Sequence, residues 1–190
     1  MDSLKDALIE ATIKEGAVNP SNKRFSTKTI AERCGVSEFT LFSLFKTKDA
    51  LVDEALSLVR EDFITSAQKA AVVSKDVGGL VKALIHHAFM VPEYTIFLAN
   101  YGFWTGKAPE EQSAKQAAFD ADVAAAKKAF IFLQDCPPEV IYLLWNFIWR
   151  QINYAVEEVY DGLANDSPAY RDAVAKRVSE GFMSFQKERA

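Results

Sequence analysis

Ile30-Ala31-Glu32-Arg33-Cys34-Gly35-Val36-Ser37-Glu38-Phe39-Thr40-Leu41-Phe42-Ser43-Leu44-Phe45 decides how this chain folds. The stretch holds two short runs of helical apolar spacing with a glycine between them. Two short helices that cross steeply need a small residue where they touch, and Ala31 supplies it. Gly35 follows four residues later, where the chain must reverse and visit positive φ. Val36 fills the gap between the helices. Leu41 and Phe45, four apart, face inward from the second helix onto Ile30, Ala31 and the first helix's Leu8 and Ala11. Glu38, Phe39, Thr40 and Ser43 are left near the outer face, where a helix lying in a major groove presents its N-terminal half to base edges.

Outward from this core, the punctuation agrees. Ser26 and Ser37 each precede an apolar run, and a serine oxygen there can accept the free amide hydrogens of a first turn. The spacing predicts helices over Thr27–Cys34 and Glu38–Phe45. Thr47 then caps a longer helix with Leu51, Val52, Ala55, Val59 and Phe63 on its buried side. Upstream, Leu4, Ala7, Leu8 and Ala11 predict a first helix from Leu4 to Glu15 that stops near Gly16, with Val18 to Asn22 as a loop. Downstream, the helices expected are Val77–Met90 with Asp76 as its cap, Pro92–Trp104 with the proline in the first turn, Glu110–Leu133, Glu139–Tyr160 started by Pro137-Pro138, and a last one opened by Ser167-Pro168 and reaching about Lys187. No stretch alternates with period two, so the class is all-α, with about nine helices.

Charge is distributed unevenly. The 190 residues carry a net charge of −4. Between Lys23 and Lys48, however, six basic residues (Lys23, Arg24, Lys28, Arg33, Lys46, Lys48) face two acids (Glu32, Glu38), a local charge of +4. A basic segment on an acidic body suits one DNA-facing end. Lys48 sits in a first helical turn, where the macrodipole disfavours a cation by about 0.3–1 kcal/mol. A helix N-terminus with a lysine is a phosphate site, although Asp49 beside it offers a plainer compensation.

The run from Ser26 to Leu51 resembles the TetR family of transcriptional regulators. Ser26, Ile30, Ala31, Gly35, Val36, Ser37, Thr40, Leu41, Phe45, Lys48 and Leu51 all fall on that family's pattern. The resemblance implies an N-terminal helix-turn-helix DNA-binding domain over 1–47 and a helical ligand-binding and dimerisation domain over 48–190. The candidate DNA contacts are Thr27, Lys28, Ser37, Glu38, Phe39, Thr40, Phe42, Ser43 and Lys48. Three departures stand out. The family usually has Tyr where this chain has Phe42, and commonly His or Tyr where it has Leu44, so two phosphate-reaching polar tips are gone. The loop before Ser26 is longer than usual, and no basic arm precedes Leu4. Phe39 or Phe42 against thymine methyls is one alternative. Glu38 can accept from a cytosine amine or cap its own helix.

Past Gln68 the helices are rich in aromatic residues, and rings meeting from several helices tend to leave an apolar cavity. The candidate lining is His86, Phe89, Met90, Tyr94, Phe97, Tyr101, Trp104, Phe119, Trp145 and Trp149, for a small apolar or aromatic effector; plain core is the competing assignment for each ring. The helix up to Tyr160 is apolar nearly all round, with Val140, Leu144, Phe147 and Gln151 on one side and Ile141, Trp145, Ile148, Ile152 and Val156 on another. Such a helix must be covered on all sides. The last helix carries a stripe at Tyr170, Val174, Val178, Phe182 and Phe185. In TetR-like proteins the last two helices pair with their two-fold mates, which implies a homodimer interface at Leu144, Phe147, Gln151, Val174, Val178 and Phe182, and a palindromic operator.

The function expected is therefore a ligand-responsive regulator on double-stranded DNA, with repression the expected sign. The alternative is a sensor or interaction protein of the same fold whose DNA binding is weak or lost, motivated by Phe42 and Leu44. No nucleophile stands beside a base, no carboxylates pair in an apolar setting and no glycine loop cradles a phosphate, so an enzyme is not expected. Neither is a cofactor, nor a metal, since Cys34, Cys136, His86 and His87 lack ligand spacing. The N-terminus has no apolar signal segment and no window is long enough for a membrane span. Two distant cysteines suit a reducing cytoplasm.

Overall fold

The computed structural model describes residues 3–18, 25–74, 77–101, 120, 124, 127, 134–135 and 137–187. Eight helices and no strand run through them: α1 (Ser3–Val18), α2 (Thr27–Arg33), α3 (Glu38–Phe45), α4 (Lys48–Val73), α5 (Val77–Met90), α6 (Pro92–Tyr101), α7 (Pro138–Tyr160) and α8 (Pro168–Lys187). Of the expected Glu110–Leu133 helix, only Asp120, Ala124 and Lys127 are described, all helical. Asp76 lies outside the described residues, as do Cys136 and most of the loop before Ser26.

The chain gathers into two units, one built from residues 1–64 and 88–104, the other from 65–87 and 105–190. In the first unit, Leu8 and Ile13 of α1, Ile30 and Ala31 of α2, Leu41 and Phe45 of α3, and Leu51, Ala55 and Val59 of α4 are all buried. This is the expected helix-turn-helix core, except that Ala11, expected in it beside Leu8, is only half-buried and Ile13 is enclosed instead. Lys5 of α1 reaches across it, ion-paired to Glu54 at 2.6 Å and standing 5.5 Å from the centre of the Phe45 ring. Arg33 of α2 pairs with Glu15 of α1 at 3.0 Å, and the Cys34 thiol points to the Ala7 carbonyl at 3.5 Å. Partial burial raises that thiol's pKa, which suits a structural rather than a reactive cysteine.

Helix α1 departs from expectation at its end. Gly16 does not stop it; the helix continues to Val18. The glycine serves close packing instead. A Cβ on Gly16 would lie 2.5 Å from Phe97 Cδ2 and 2.9 Å from Tyr101 Cε2. The rings of Phe97 and Tyr101 stack with centroids 4.8 Å apart, so α6 lays a flat aromatic surface on bare α1 backbone. Asn100 Nδ2 donates to the Gly16 carbonyl at 3.1 Å, satisfying one of the acceptors that the last turn of α1 leaves open. Thr95, fully buried, donates to the Ala88 carbonyl at 3.0 Å and so satisfies an acceptor in the last turn of α5.

In the second unit α7 packs on α8. Ile148, Trp149, Ile152, Ala155 and Val156 of α7 are buried, as are Val174, Ala175 and Val178 of α8. Gly181 admits the Phe147 ring, whose Cζ would stand 2.8 Å from an added Cβ. The Tyr170 hydroxyl donates to Glu158 Oε2 at 2.7 Å; burial first, then that carboxylate, push its pKa up to about 12. Ser167 caps α8 by accepting from the Tyr170 amide at 3.2 Å, and Arg171 pairs with Asp166. Lys82 of α5 meets Asp172 of α8 at 2.7 Å, with His86 Nε2 3.8 Å from the same carboxylate.

Candidate nucleic-acid interface

Helix α3 is held by its ends. Ser37, extended at φ −81°, accepts the Thr40 amide at 3.1 Å and shares a hydrogen bond with the Thr40 hydroxyl at 3.0 Å. Gly35 turns the chain at φ +68°, as its position between the two runs requires. Ser26 occupies the N-cap position of α2, but its side chain makes no capping bond, contrary to expectation. The start of α2 is fixed elsewhere: Thr27 Oγ1 donates to Glu38 Oε1 at 2.6 Å, tying the first residue of α2 to the first of α3. This bond engages one oxygen of the Glu38 carboxylate, which was expected either to read a base or to cap its own helix.

The turn from α3 into α4 is strained. Lys46 sits at φ 62°, ψ −44°, and the Thr47 amide donates to the Phe45 carbonyl at 2.7 Å, which makes Lys46 the centre of a γ-turn of the rare positive-φ kind. Such a residue costs about 1–3 kcal/mol when it carries a side chain. Lys46→Gly is therefore expected to raise stability by about 1 kcal/mol in a urea titration, because relief of strain exceeds the extra freedom of the unfolded glycine. An unchanged or lower midpoint would show that the turn is relaxed as it stands. Thr47 caps α4 as expected, accepting from the Ala50 amide at 3.0 Å.

Lys48 takes a place that the sequence did not disclose. Its ammonium donates to the Phe25 carbonyl and lies 3.9 Å from the centre of the Phe25 ring. A carbonyl and a ring face thus compensate a cation in a first helical turn. Phe25 is itself buried against the Tyr101 ring, with centroids 5.7 Å apart.

The outer face of α3 is open. Phe39 is 84% exposed, and Phe42 and Leu44 are 37% and 38% exposed. Ser37, Glu38 and Ser43 are exposed, Thr27 and Thr40 half-buried. Lys28 of α2 and Lys46 just past α3 are also exposed, Lys28 standing 3.9 Å from Glu32. The candidate DNA contacts are thus grouped on α3 and the starts of α2 and α4.

Residues 23–55 match the family model described as bacterial regulatory proteins, tetR family. This helix-turn-helix is similar to that of the TetR family. Among curated proteins, the chain is 33% identical over 81 residues to the uncharacterized HTH-type transcriptional regulator YvkB of Bacillus subtilis (strain 168); the alignment covers 43% of this chain and 37% of that relative's length. The TetR likeness of fold extends much further. A TetR family transcription regulator from Marinobacter aquaeolei VT8 superimposes with a TM-score of 0.68 at 21% identity, over 93% of this chain and 94% of that one. The TetR-like transcriptional regulator LfrR from Mycobacterium smegmatis, in complex with proflavine, does so with a TM-score of 0.65 at 16% identity, over 94% and 96%.

The expected effector and dimer residues are placed unevenly. Phe89 and Phe97 are buried in the first unit, where Phe97 packs on Tyr101 and on α1. Tyr94 donates its hydroxyl to Glu10 of α1; burial first, then that carboxylate, raise the phenol's pKa. Met90 is 72% exposed. His86 and Trp149 belong to the second unit, with Trp149 buried and His86 beside Asp172. Val174 and Val178 are buried within the single chain, so the α8 stripe is used at least in part against its own subunit. Phe147 is exposed and Gln151 half-buried. Trp104 and Phe119 lie outside the described residues, as do the side chains of Leu144, Trp145 and Phe182. Among the described residues no group of three or more His, Cys, Asp or Glu side chains could hold a metal, and no helix is long and apolar enough to cross a membrane.

Proposed function

We propose that the chain is a ligand-responsive transcriptional regulator of the TetR kind, acting in the cytoplasm as a homodimer on a palindromic operator. Residues 1–47 serve as the DNA-binding domain, and 48–190 as the effector-binding and dimerisation domain. The observation that carries the proposal is the open outer face of α3, backed by buried Leu41 and Phe45, with Lys28 and Lys46 exposed in the same helix-turn-helix. A helix presented this way can enter a major groove while lysines meet the phosphates.

The effector part rests on the aromatic content of the helices beyond α4 and on the fold shared with LfrR, which was solved with proflavine. A small apolar or aromatic molecule fits that chemistry. By linkage, an effector that binds the DNA-incompetent shape more tightly releases the operator, and DNA weakens effector binding by the same factor. The dimer part rests on α7 and α8, with the exposed Phe147 and half-buried Gln151 as described members of the contact and Leu144 and Phe182 completing it. Val174 and Val178 support that face from within the subunit.

The test is DNA affinity against salt, on duplexes enriched from genomic fragments with the full chain. Affinity is expected to fall steeply as salt rises, and Lys28→Ala to flatten the log–log slope by about one unit. Failure to enrich any duplex, or affinity indifferent to salt, would favour the sensor without DNA binding.

A further inference from the structure

We propose that the reading head recognises its target chiefly by apolar contact, with Phe39 seated against the C5 methyl of a thymine in the major groove. This rests on the DNA-binding role proposed above and specifies its chemistry.

Two observations carry it. The first is the composition of α3, Glu-Phe-Thr-Leu-Phe-Ser-Leu-Phe from Glu38 to Phe45. It contains no Arg, Lys, Asn or Gln, the side chains that read guanine or adenine by paired hydrogen bonds. The second is where its polar groups are engaged. The Ser37 and Thr40 hydroxyls bond to each other at 3.0 Å, and the Ser37 oxygen also accepts the Thr40 amide. Ser43 donates to the Thr40 carbonyl at 2.7 Å, and Glu38 accepts from Thr27 at 2.6 Å. The short polar side chains at the front of α3 are thus turned back onto the protein.

What projects is Phe39, 84% exposed, with Phe42 one turn along the same face. Lys46, just past the end of α3, is exposed. A ring held almost wholly in water gains by leaving it. In the major groove, thymine is the unmodified base that offers a methyl group to meet it. A flat ring also has few rotamers to lose on docking.

The test uses the full chain and a duplex enriched from a random-sequence pool. Each thymine is replaced in turn by deoxyuridine, which keeps the base pair and removes only the methyl. At one or two positions in each half-site the replacement is expected to weaken binding about fourfold to tenfold, the usual effect of one methyl in an apolar contact. Phe39→Ala should bind the thymine and deoxyuridine duplexes equally, while Lys176→Ala, at an exposed position of α8, keeps their ratio. Far-UV circular dichroism checks that Phe39→Ala is folded, and the deoxyuridine series on the unaltered protein does not depend on that variant. Methylating cytosine at C5 in the same position restores a methyl and should recover part of the affinity. If the enriched duplex binds in a salt-dependent way but no deoxyuridine position matters, the apolar readout is overturned and the DNA-binding role stands. If no duplex is enriched at all, both fall.

Discussion

Phe97→Ala is expected to lower the stability of the chain by about 3–5 kcal/mol, as removal of a fully enclosed aromatic ring does. Phe97 has no exposed surface, and its ring packs on the backbone of α1 at Gly16 and against the ring of Tyr101, which also reaches Gly16. Truncation would therefore leave a void bounded by a helix backbone and a ring, neither of which can collapse easily. Against a total of about 5–15 kcal/mol for a natural domain, the loss is large. Urea denaturation of the variant is the measurement. The result also separates two roles. A ring that lines an effector cavity already borders empty space and would lose little of its packing on truncation. A loss under about 1 kcal/mol would therefore mean that Phe97 belongs to a pocket wall; the expected loss marks it as core.

The helix-turn-helix was legible because each of its requirements falls on a different residue type within a short span. Ala31, Gly35, Ser37, Leu41 and Phe45 do what their chemistry predicts, and the structure buries, turns and caps them accordingly. Local geometry decides such positions, so local sequence suffices. The misread positions are those where one residue type has two uses. Glycine ends helices and also lets backbones approach, and only Phe97, 81 positions away from Gly16, tells which use applies. Serine before a helix can cap or stand idle, and Ser26 makes no cap, while a side-chain bond from Thr27 to Glu38 joins α2 to α3. No local spacing announces that Lys48, expected at a phosphate, also meets the carbonyl and ring of Phe25 across the turn. No spacing rule links Tyr94 to Glu10 either. Among the expected effector residues the same limit applies. A large apolar residue at helical spacing reads identically whether it is buried, as Phe97 is, or lies open, as Met90 does.

Gly16→Leu tests the close approach of α1 and α6 from the other side. The first atom added, Cβ, already falls 2.5 and 2.6 Å from two carbons of the Phe97 ring. Better helix propensity of leucine over glycine returns less than about 1 kcal/mol. Overpacking costs typically about 1–3 kcal/mol and more where nothing can move, and here the obstruction is a rigid, buried ring. A net loss of about 2–3 kcal/mol is expected, accompanied by separation of α1 from α6. The informative measurement is the pair combined with Phe97→Ala. Leucine at 16 should enter the space that alanine at 97 vacates, so the double variant should be more stable than the sum of the single losses implies, by about 0.5–3 kcal/mol. Strict additivity would mean that the two positions do not share a contact, and the packing of bare backbone against the Phe97 ring would then be wrong.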